Sequence, residues 1–410
     1  MFRCFRKLAV FAVSAGLIAA QVRAQTPTRR KRTVTDEEVA RVHASTILID
    51  THNDITSQTV AGTDIGLPSA NHTDLPRMKK GGMGAQFFAV FVASSYVEGN
   101  HSAKRTLDMI DTVKHDIVAK YPGDFLFATT AADIREAHRQ HKIAALMGLE
   151  GGHGIEDDLR LLRVYYNEGV RYMTLTHTNS NHWADSSGDA NKPNNGLSPF
   201  GKDVVREMNR LGIIVDISHT SDKTFRDALE TSRAPIFASH SSVRSISDVP
   251  RNLTDEMIVA LGKKGGVVQI NFDCGYLNPQ VAAAEAARTA KLAPEVTGLR
   301  TKYDPAGLQR ALQELRAANP LPVRAQISDV VKHINRVVDL AGIGAVGLGS
   351  DFDGVSCVPE GLDSVDKWPN LTRALLEEGY TQSDIVKIYG GNTLRLMSDV
   401  EKAAATSKSK

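Results

Sequence analysis

Between residues 46 and 350 the chain repeats one pattern: a short run of β-branched, aromatic or aliphatic residues, then an amphipathic stretch at helical spacing. The runs are Thr46–Asp50, Ala85–Val92, Ile143–Glu150, Tyr172–Thr176, Ile213–Ser218, Pro235–Ser239, Gly266–Phe272 and Ala345–Ser350. Among the stretches between them, Leu107, Ile110, Val113 and Ile117 fall on one helical face. Val204, Met208 and Leu211 do the same, as do Val330, Ile334, Val337 and Val338. Strands alternating with helices over this length predict an α/β fold with a parallel sheet. A closed barrel and an open doubly wound sheet both satisfy the alternation. An open sheet gathers its polar residues near one switch point, whereas here they close runs spread through the whole chain, so a (β/α)8 TIM barrel is expected.

Two segments depart from the pattern. Phe125–Phe127 reads as a short extra strand outside the barrel. Residues 278–325 form an Ala-rich helical insertion between the seventh and eighth barrel strands, with Leu308, Leu312 and Leu315 in helical register and a break at Asn319-Pro320-Leu321-Pro322. An insertion there hangs over the C-terminal mouth as a lid or a dimer contact; a surface helix without a role fits the pattern equally.

The N-terminal residues have a different texture. Arg3, Arg6 and Lys7 precede the uncharged run Leu8–Ala20, and Val22-Arg23-Ala24 places small residues before Gln25. A basic head, a short apolar centre and a small-residue cleavage motif describe a signal peptide over 1–24, hence an exported, periplasmic or secreted protein. The run is too short to span roughly 30 Å of bilayer. Residues 25–35 read as a flexible leader, 36–400 as the barrel and 401–410 as a small polar tail without the apolar stretch of a GPI anchor. A formal net charge of +2 gives no reason to expect a nucleic-acid or membrane-surface partner. Beyond residue 24 only Cys274 and Cys357 remain, and spacing does not say whether they meet.

The residues that close the runs carry the chemistry. His52 and Asp54 follow the first run two residues apart, so on an extended backbone they point to one side and form a suitable zinc pair. Glu150 closes the third run before Gly151-Gly152, where a buried carboxylate needs a positive neighbour; two metal ions or an arginine would serve. His177, His219, His240 and Asp351 close the fourth, fifth, sixth and eighth. Any one of them alone reads as a structural residue. Six strand ends converging on one rim read as a metal centre.

With these residues in view the chain resembles the membrane (renal) dipeptidase family, zinc peptidases on an amidohydrolase-like barrel. The resemblance runs from about Ile47 to Val400. It rests on Asp50-Thr51-His52-Asn53-Asp54, Glu150-Gly151-Gly152-His153, Leu175-Thr176-His177, His219, Ser239-His240-Ser241-Ser242, Arg251-Asn252, Gly349-Ser350-Asp351-Phe352-Asp353-Gly354 and Gly391-Asn392. It implies two Zn2+ ions, one on His52 and Asp54, the other on His219 and His240, with Glu150 bridging. It also implies substrate contacts from His177, Arg251 and Tyr276, and a proton carried by Asp351. The expected activity is zinc-dependent hydrolysis of dipeptides by a water that two metals activate, with substrates bearing a C-terminal D-residue included. His177 and Asp351 each have a competing role as a metal ligand, and Arg251 as a loop tie. No membrane anchor is implied, and a non-covalent homodimer stays open.

Two rivals remain. Other metal-dependent amidohydrolases often bridge their metals with a lysine on the fourth strand, and Arg171–His177 holds none. A secreted binding protein on a lapsed barrel would have lost at least one of His52, Asp54, Glu150, His219 or His240, and all are present.

Overall fold

The computed structural model describes residues 29–303 and 305–408. Its strands are β1 (Leu48–Asn53), β2 (Met83–Phe91), β3 (Phe125–Phe127), β4 (Ile143–Glu150), β5 (Val170–Thr174), β6 (Ile214–Asp216), β7 (Phe237–Ser241), β8 (Val267–Ile270) and β9 (Val346–Leu348). Eight of them pair in the order β1-β2-β4-β5-β6-β7-β8-β9, all parallel, and β3 adds only to β4 outside the ring. The end of β9 returns to β1. Asn53 bridges Phe352, Asp54 N donates to Phe352 O at 2.9 Å, and Asp351 N donates to His52 O at 3.1 Å. Ser350 Oγ also donates to Asp50 Oδ2 at 2.6 Å. The result is a nearly closed (β/α)8 barrel, stitched where β1 and β9 deliver their polar ends.

Both faces of the strands are covered, which is why the runs are continuously apolar. Alternate residues Ile49, Phe87, Leu146, Tyr172, Ile214 and Phe237 fill the interior as one cluster. The intervening Leu48, Phe88, Met147, Met173, Val215 and Val268 pack outward against the helices. Each fully buried side chain of this size contributes about 1.5–3 kcal/mol. Leu394, Leu396, Met397 and Val400 join the interior cluster from the helix Asn392–Lys408 and stop the barrel floor.

Several boundaries differ from the sequence expectations. Residues 29–35 pack against the body rather than standing free. Arg29 pairs with Asp339 at 3.1 Å, Arg32 N donates to Glu377 O, and Val34 is buried. Residues 401–408 continue the last helix instead of forming a tail: Glu401 Oε1 accepts from Ala131 N at 2.9 Å and Ala404 is buried. Leu107 is exposed although Ile110, Val113 and Ile117 are buried: within the helix Ser102–Asp111 the buried face is Ser102, Thr106, Met109 and Ile110, and Leu107 lies at its edge. The signal-peptide motif in residues 1–24 lies outside the described residues. Among those described, no helix is long and apolar enough to cross a membrane.

The insertion is two helices, Pro279–Lys302 and Pro305–Ala317, more helical than its leucines alone suggest. Its base is fixed covalently. Cys274, in the short helix Cys274–Leu277, is bonded to Cys357 in the loop after β9, across 83 residues of sequence. Closing a loop that long restricts the unfolded chain and stabilises by about 2–4 kcal/mol. Cys357→Ser is therefore expected to lower the thermal midpoint measured by calorimetry, and adding reductant should shift the wild type but not the variant.

Candidate active site

The inward face of the strands turns polar as it rises. Two residues above each interior apolar side chain stand Thr51 over Ile49, Thr174 over Tyr172, Asp216 over Ile214 and Ser239 over Phe237. These buried groups satisfy one another. Asp216 Oδ2 accepts from Thr174 Oγ1 and from Ser239 Oγ at 2.6 Å each, and Thr51 Oγ1 donates to Ser239 O at 2.6 Å. On this layer sit the residues that close the strands.

Glu150 lies at the centre. Its Oε1 is 3.0 Å from His219 Nε2, 3.2 Å from His240 Nε2 and 3.8 Å from His177 Nε2. Its Oε2 turns the other way, 3.4 Å from His52 Nε2, which is 3.2 Å from Asp54 Oδ2 and 4.0 Å from Asp351 Oδ1. The rings of His52 and His240 stack at 3.8 Å. Groups of these side chains could each hold a metal ion: His52, Asp54 and Glu150; Glu150, His177 and His219; His52, His240 and Asp351.

The outer nitrogens of two rings are fixed. His240 Nδ1 is 2.7 Å from Ser239 Oγ, whose own proton goes to Asp216, so Nδ1 donates and Nε2 keeps its lone pair. His52 Nδ1 is 2.7 Å from Tyr172 Oη, and its buried Nε2 has no hydrogen-bond partner among the described residues. His240 Nε2 and His219 Nε2 stand 3.0 Å apart with Glu150 Oε1 between their lines of approach. Imidazole nitrogens converging with carboxylate oxygens, two of the rings backed by a hydroxyl, fit a metal centre around Glu150.

Electrostatics agree. Burial opposes the charge of Glu150, yet His52, His177, His219 and His240 hold it well below the usual carboxylate range. Burial depresses His177, His219 and His240. Asp351 is pushed up to about 6 by burial, with Asp54 and Glu150 adding to the push and His52 opposing it. Asp351 Oδ2 accepts from Asn271 Nδ2 at 2.8 Å. His219, Asp351 and Asp353 adopt left-handed φ values of 65°, 63° and 67°, a conformation that costs on the order of 1–3 kcal/mol per residue and that packing must enforce.

Arg251 reaches the same rim from the loop after β7. Its Nη1 donates to Ser241 Oγ at 2.6 Å and its Nη2 to His240 O at 2.7 Å, while its buried Nε finds no partner among the described residues. The guanidinium lies 5.6 Å from the centre of the Tyr276 ring. His333 ties the supports together: Nδ1 accepts from Val243 N and Nε2 is bonded to Leu277 O. A cavity of about 600 Å3 opens above, with Glu150, His177, His219, Tyr276 and Asp351 in its walls.

All the site residues expected from sequence thus meet at the C-terminal rim. Sequence spacing missed their supports: Tyr172, Asp216, Ser239 and Asn271. Tyr172 reads as an ordinary strand aromatic, and its ring fits only because residue 148 is glycine; a Cβ there would lie 1.8 Å from its Cζ. Ser239 carried a signal, since it precedes His240 directly and stands two residues above Phe237.

Comparison with known proteins agrees with this geometry. Residues 36–410 match the model of the membrane dipeptidase family, peptidase family M19. An uncharacterized dipeptidase of Schizosaccharomyces pombe is 34% identical over 372 residues, covering 86% of this chain and 81% of its own length. The probable dipeptidase PvdM from Pseudomonas aeruginosa superposes with a TM-score of 0.79 at 26% identity, covering 90% of this chain and 98% of that one. A dipeptidase described as a metallopeptidase of the same family superposes with a TM-score of 0.71 at 25% identity, over 87% of this chain and 99% of that one. With this fold, this cluster of ligand-type side chains and these relatives, the chain belongs to the membrane dipeptidase family and is a metallo-dipeptidase.

Proposed function

We propose that the chain hydrolyses dipeptides with two zinc ions, one held by His52, Asp54 and Glu150 Oε2, the other by His219, His240 and Glu150 Oε1. The observation that carries this is the orientation of Glu150, whose two oxygens face two separate sets of donors. A donor set of imidazoles and carboxylates suits zinc. When bound, such a pair of ions polarises the substrate carbonyl and lowers the pKa of water toward roughly 7.

The chain's own groups do the rest. Asp351, with its carboxyl near 6, accepts the proton of the attacking water and returns it to the leaving amine. Of the four histidines around Glu150, His177 is the farthest and its side chain is 19% exposed, so it stands to stabilise the oxyanion rather than to ligate. Arg251 uses one donor on each Nη for its loop, leaving Nε–H and a second Nη proton for a carboxylate. It would grip the free C-terminal carboxylate beside Tyr276, which favours short peptides. Because that clamp holds the carboxylate and not the side chain, a C-terminal D-residue is compatible with it. The Cys274–Cys357 bond and the N-terminal apolar run together support an exported enzyme.

Three substitutions test the roles. Glu150→Gln should lose bound zinc, measured by elemental analysis, together with turnover of a panel of L,L and L,D dipeptides. Asp351→Asn should keep its zinc and lose roughly 100- to 10,000-fold in kcat; if it strips the metal instead, Asp351 is a ligand and not the proton carrier. Tyr172→Phe, which removes only the hydroxyl behind His52, should weaken zinc affinity by about 10- to 100-fold in chelator competition. Wild-type protein that binds zinc and cleaves no member of the panel would refute the dipeptidase reading.

A further inference from the structure

The insertion roofs the cavity with one face of a helix. Glu285, Arg288, Leu292 and Val296 of Pro279–Lys302 recur at spacings of three or four residues and all line the cavity that holds Glu150 and Asp351. Leu312, Leu315 and Arg316 join them from Pro305–Ala317. This roof is therefore an apolar patch flanked by cations, lining the same cavity as the reacting groups.

The cations are not spent on the protein. The Arg288 guanidinium makes one long contact, Nη1 to Asn319 O at 3.4 Å, and that of Arg316 has no hydrogen bond or ion pair among the described residues. Glu285 feels the charge of both, but neither comes within ion-pair distance of it. Glu285 turns instead toward the barrel. A Cβ on Gly275 would lie 2.1 Å from Glu285 Oε2 and 3.2 Å from Asp273 Oδ1, so the two carboxyls share one narrow space. Asp273 is buried, and burial, helped by Glu285 and Asp351, pushes it up to about 8. Burial raises Glu285 as well, while Arg288 and Arg316 face the same cavity.

We propose that Arg288 and Arg316 form a subsite for an anionic side chain of the dipeptide, with Leu292, Leu312 and Leu315 packing on its methylene groups. This deepens the dipeptidase reading above and rests on it. The favoured substrates are dipeptides containing glutamate or aspartate, bound by charge-assisted hydrogen bonds from guanidinium groups at the cavity roof. Long anionic side chains gain most, since they also cover the leucines.

The test compares isosteres that differ only in charge. Values of kcat/KM are measured for L-Ala-L-Glu against L-Ala-L-Gln and for L-Glu-L-Ala against L-Gln-L-Ala, with zinc-loaded wild type, R288M/R316M and R288K/R316K. One of the two pairs should show a preference for the acid of about tenfold in the wild type, the order expected for a charge-assisted contact at a partly solvated site. That ratio should fall toward one in the methionine variant and persist in the lysine variant. Because each ratio is taken within one protein, a general loss of activity does not mimic the effect. The same pairs are titrated calorimetrically into chelator-treated wild type, where the acidic member should bind more tightly without being cleaved. Amide dipeptides cleaved as well as acidic ones, or a preference that survives in R288M/R316M, overturns the subsite and leaves the dipeptidase reading intact. Failure to cleave any dipeptide overturns the dipeptidase reading, and equal binding of both members then removes the subsite as well.

Discussion

A single buried carboxylate organises the top of this barrel. Glu150 is 3% exposed, and an ion so placed is costly unless opposite charge and hydrogen-bond donors surround it. Four imidazoles from β1, β7 and the loops after β5 and β6 crowd its two oxygens at 3.0–3.8 Å. These rings are themselves pushed toward neutrality by burial in three of the four cases. The fourth, His52, is held well above the usual imidazole range against its burial by Tyr172, Glu150 and Asp54, and together the rings keep Glu150 ionised. The same side chains form groups able to hold a metal ion, and that shared task explains why so many strands end in the same few residue types.

The support beneath the cluster follows from the pleat. Each strand offers its inward positions in steps of two, so a residue that reaches the rim stands above one that packs in the barrel. Ser239 and Asp216 illustrate the consequence: they are too deep to touch substrate, yet they decide which nitrogen of His240 carries its proton. Tyr172 places its hydroxyl 2.7 Å from His52 Nδ1 from a position that also fills the interior. One side chain here serves the core and the centre together, so packing errors in the barrel are transmitted to the ligand geometry.

This is also why the rim was legible in sequence and its foundation was not. A histidine or carboxylate closing an apolar run is conspicuous, and several such runs identify one another. A tyrosine inside a strand is not conspicuous, because its hydroxyl matters only through a partner 120 residues away. The ends of the domain failed for a different reason. Residues 401–408 look like a polar tail by composition, but Ala404 and the bond from Ala131 N to Glu401 belong to a tertiary surface that local sequence does not display. Leu107 stands at the edge of the face buried by Thr106, Met109 and Ile110, and spacing alone does not separate an edge position from a buried one. Cys274 and Cys357 were visible as a pair of residues, and only the fold brings their Cα atoms to 5.4 Å.

Stability and chemistry are separated along the barrel axis. The floor is apolar and closed by Leu394, Leu396, Met397 and Val400, where deletion of a side chain leaves a cavity and nothing else. The rim holds the expensive features: buried charge, Arg251 Nε and His52 Nε2 without a hydrogen-bond partner among the described residues, and left-handed backbone at His219, Asp351 and Asp353. Strain of that kind persists only where the surroundings over-determine it. Here the surroundings are the hydrogen bonds that join the end of β9 to β1, and the disulfide that ties the loop following β9 to the foot of the roof. The same ties hold Asp351 in register with His52 and hold the roof over Glu150. Closure of the barrel and completion of the site are therefore one structural event.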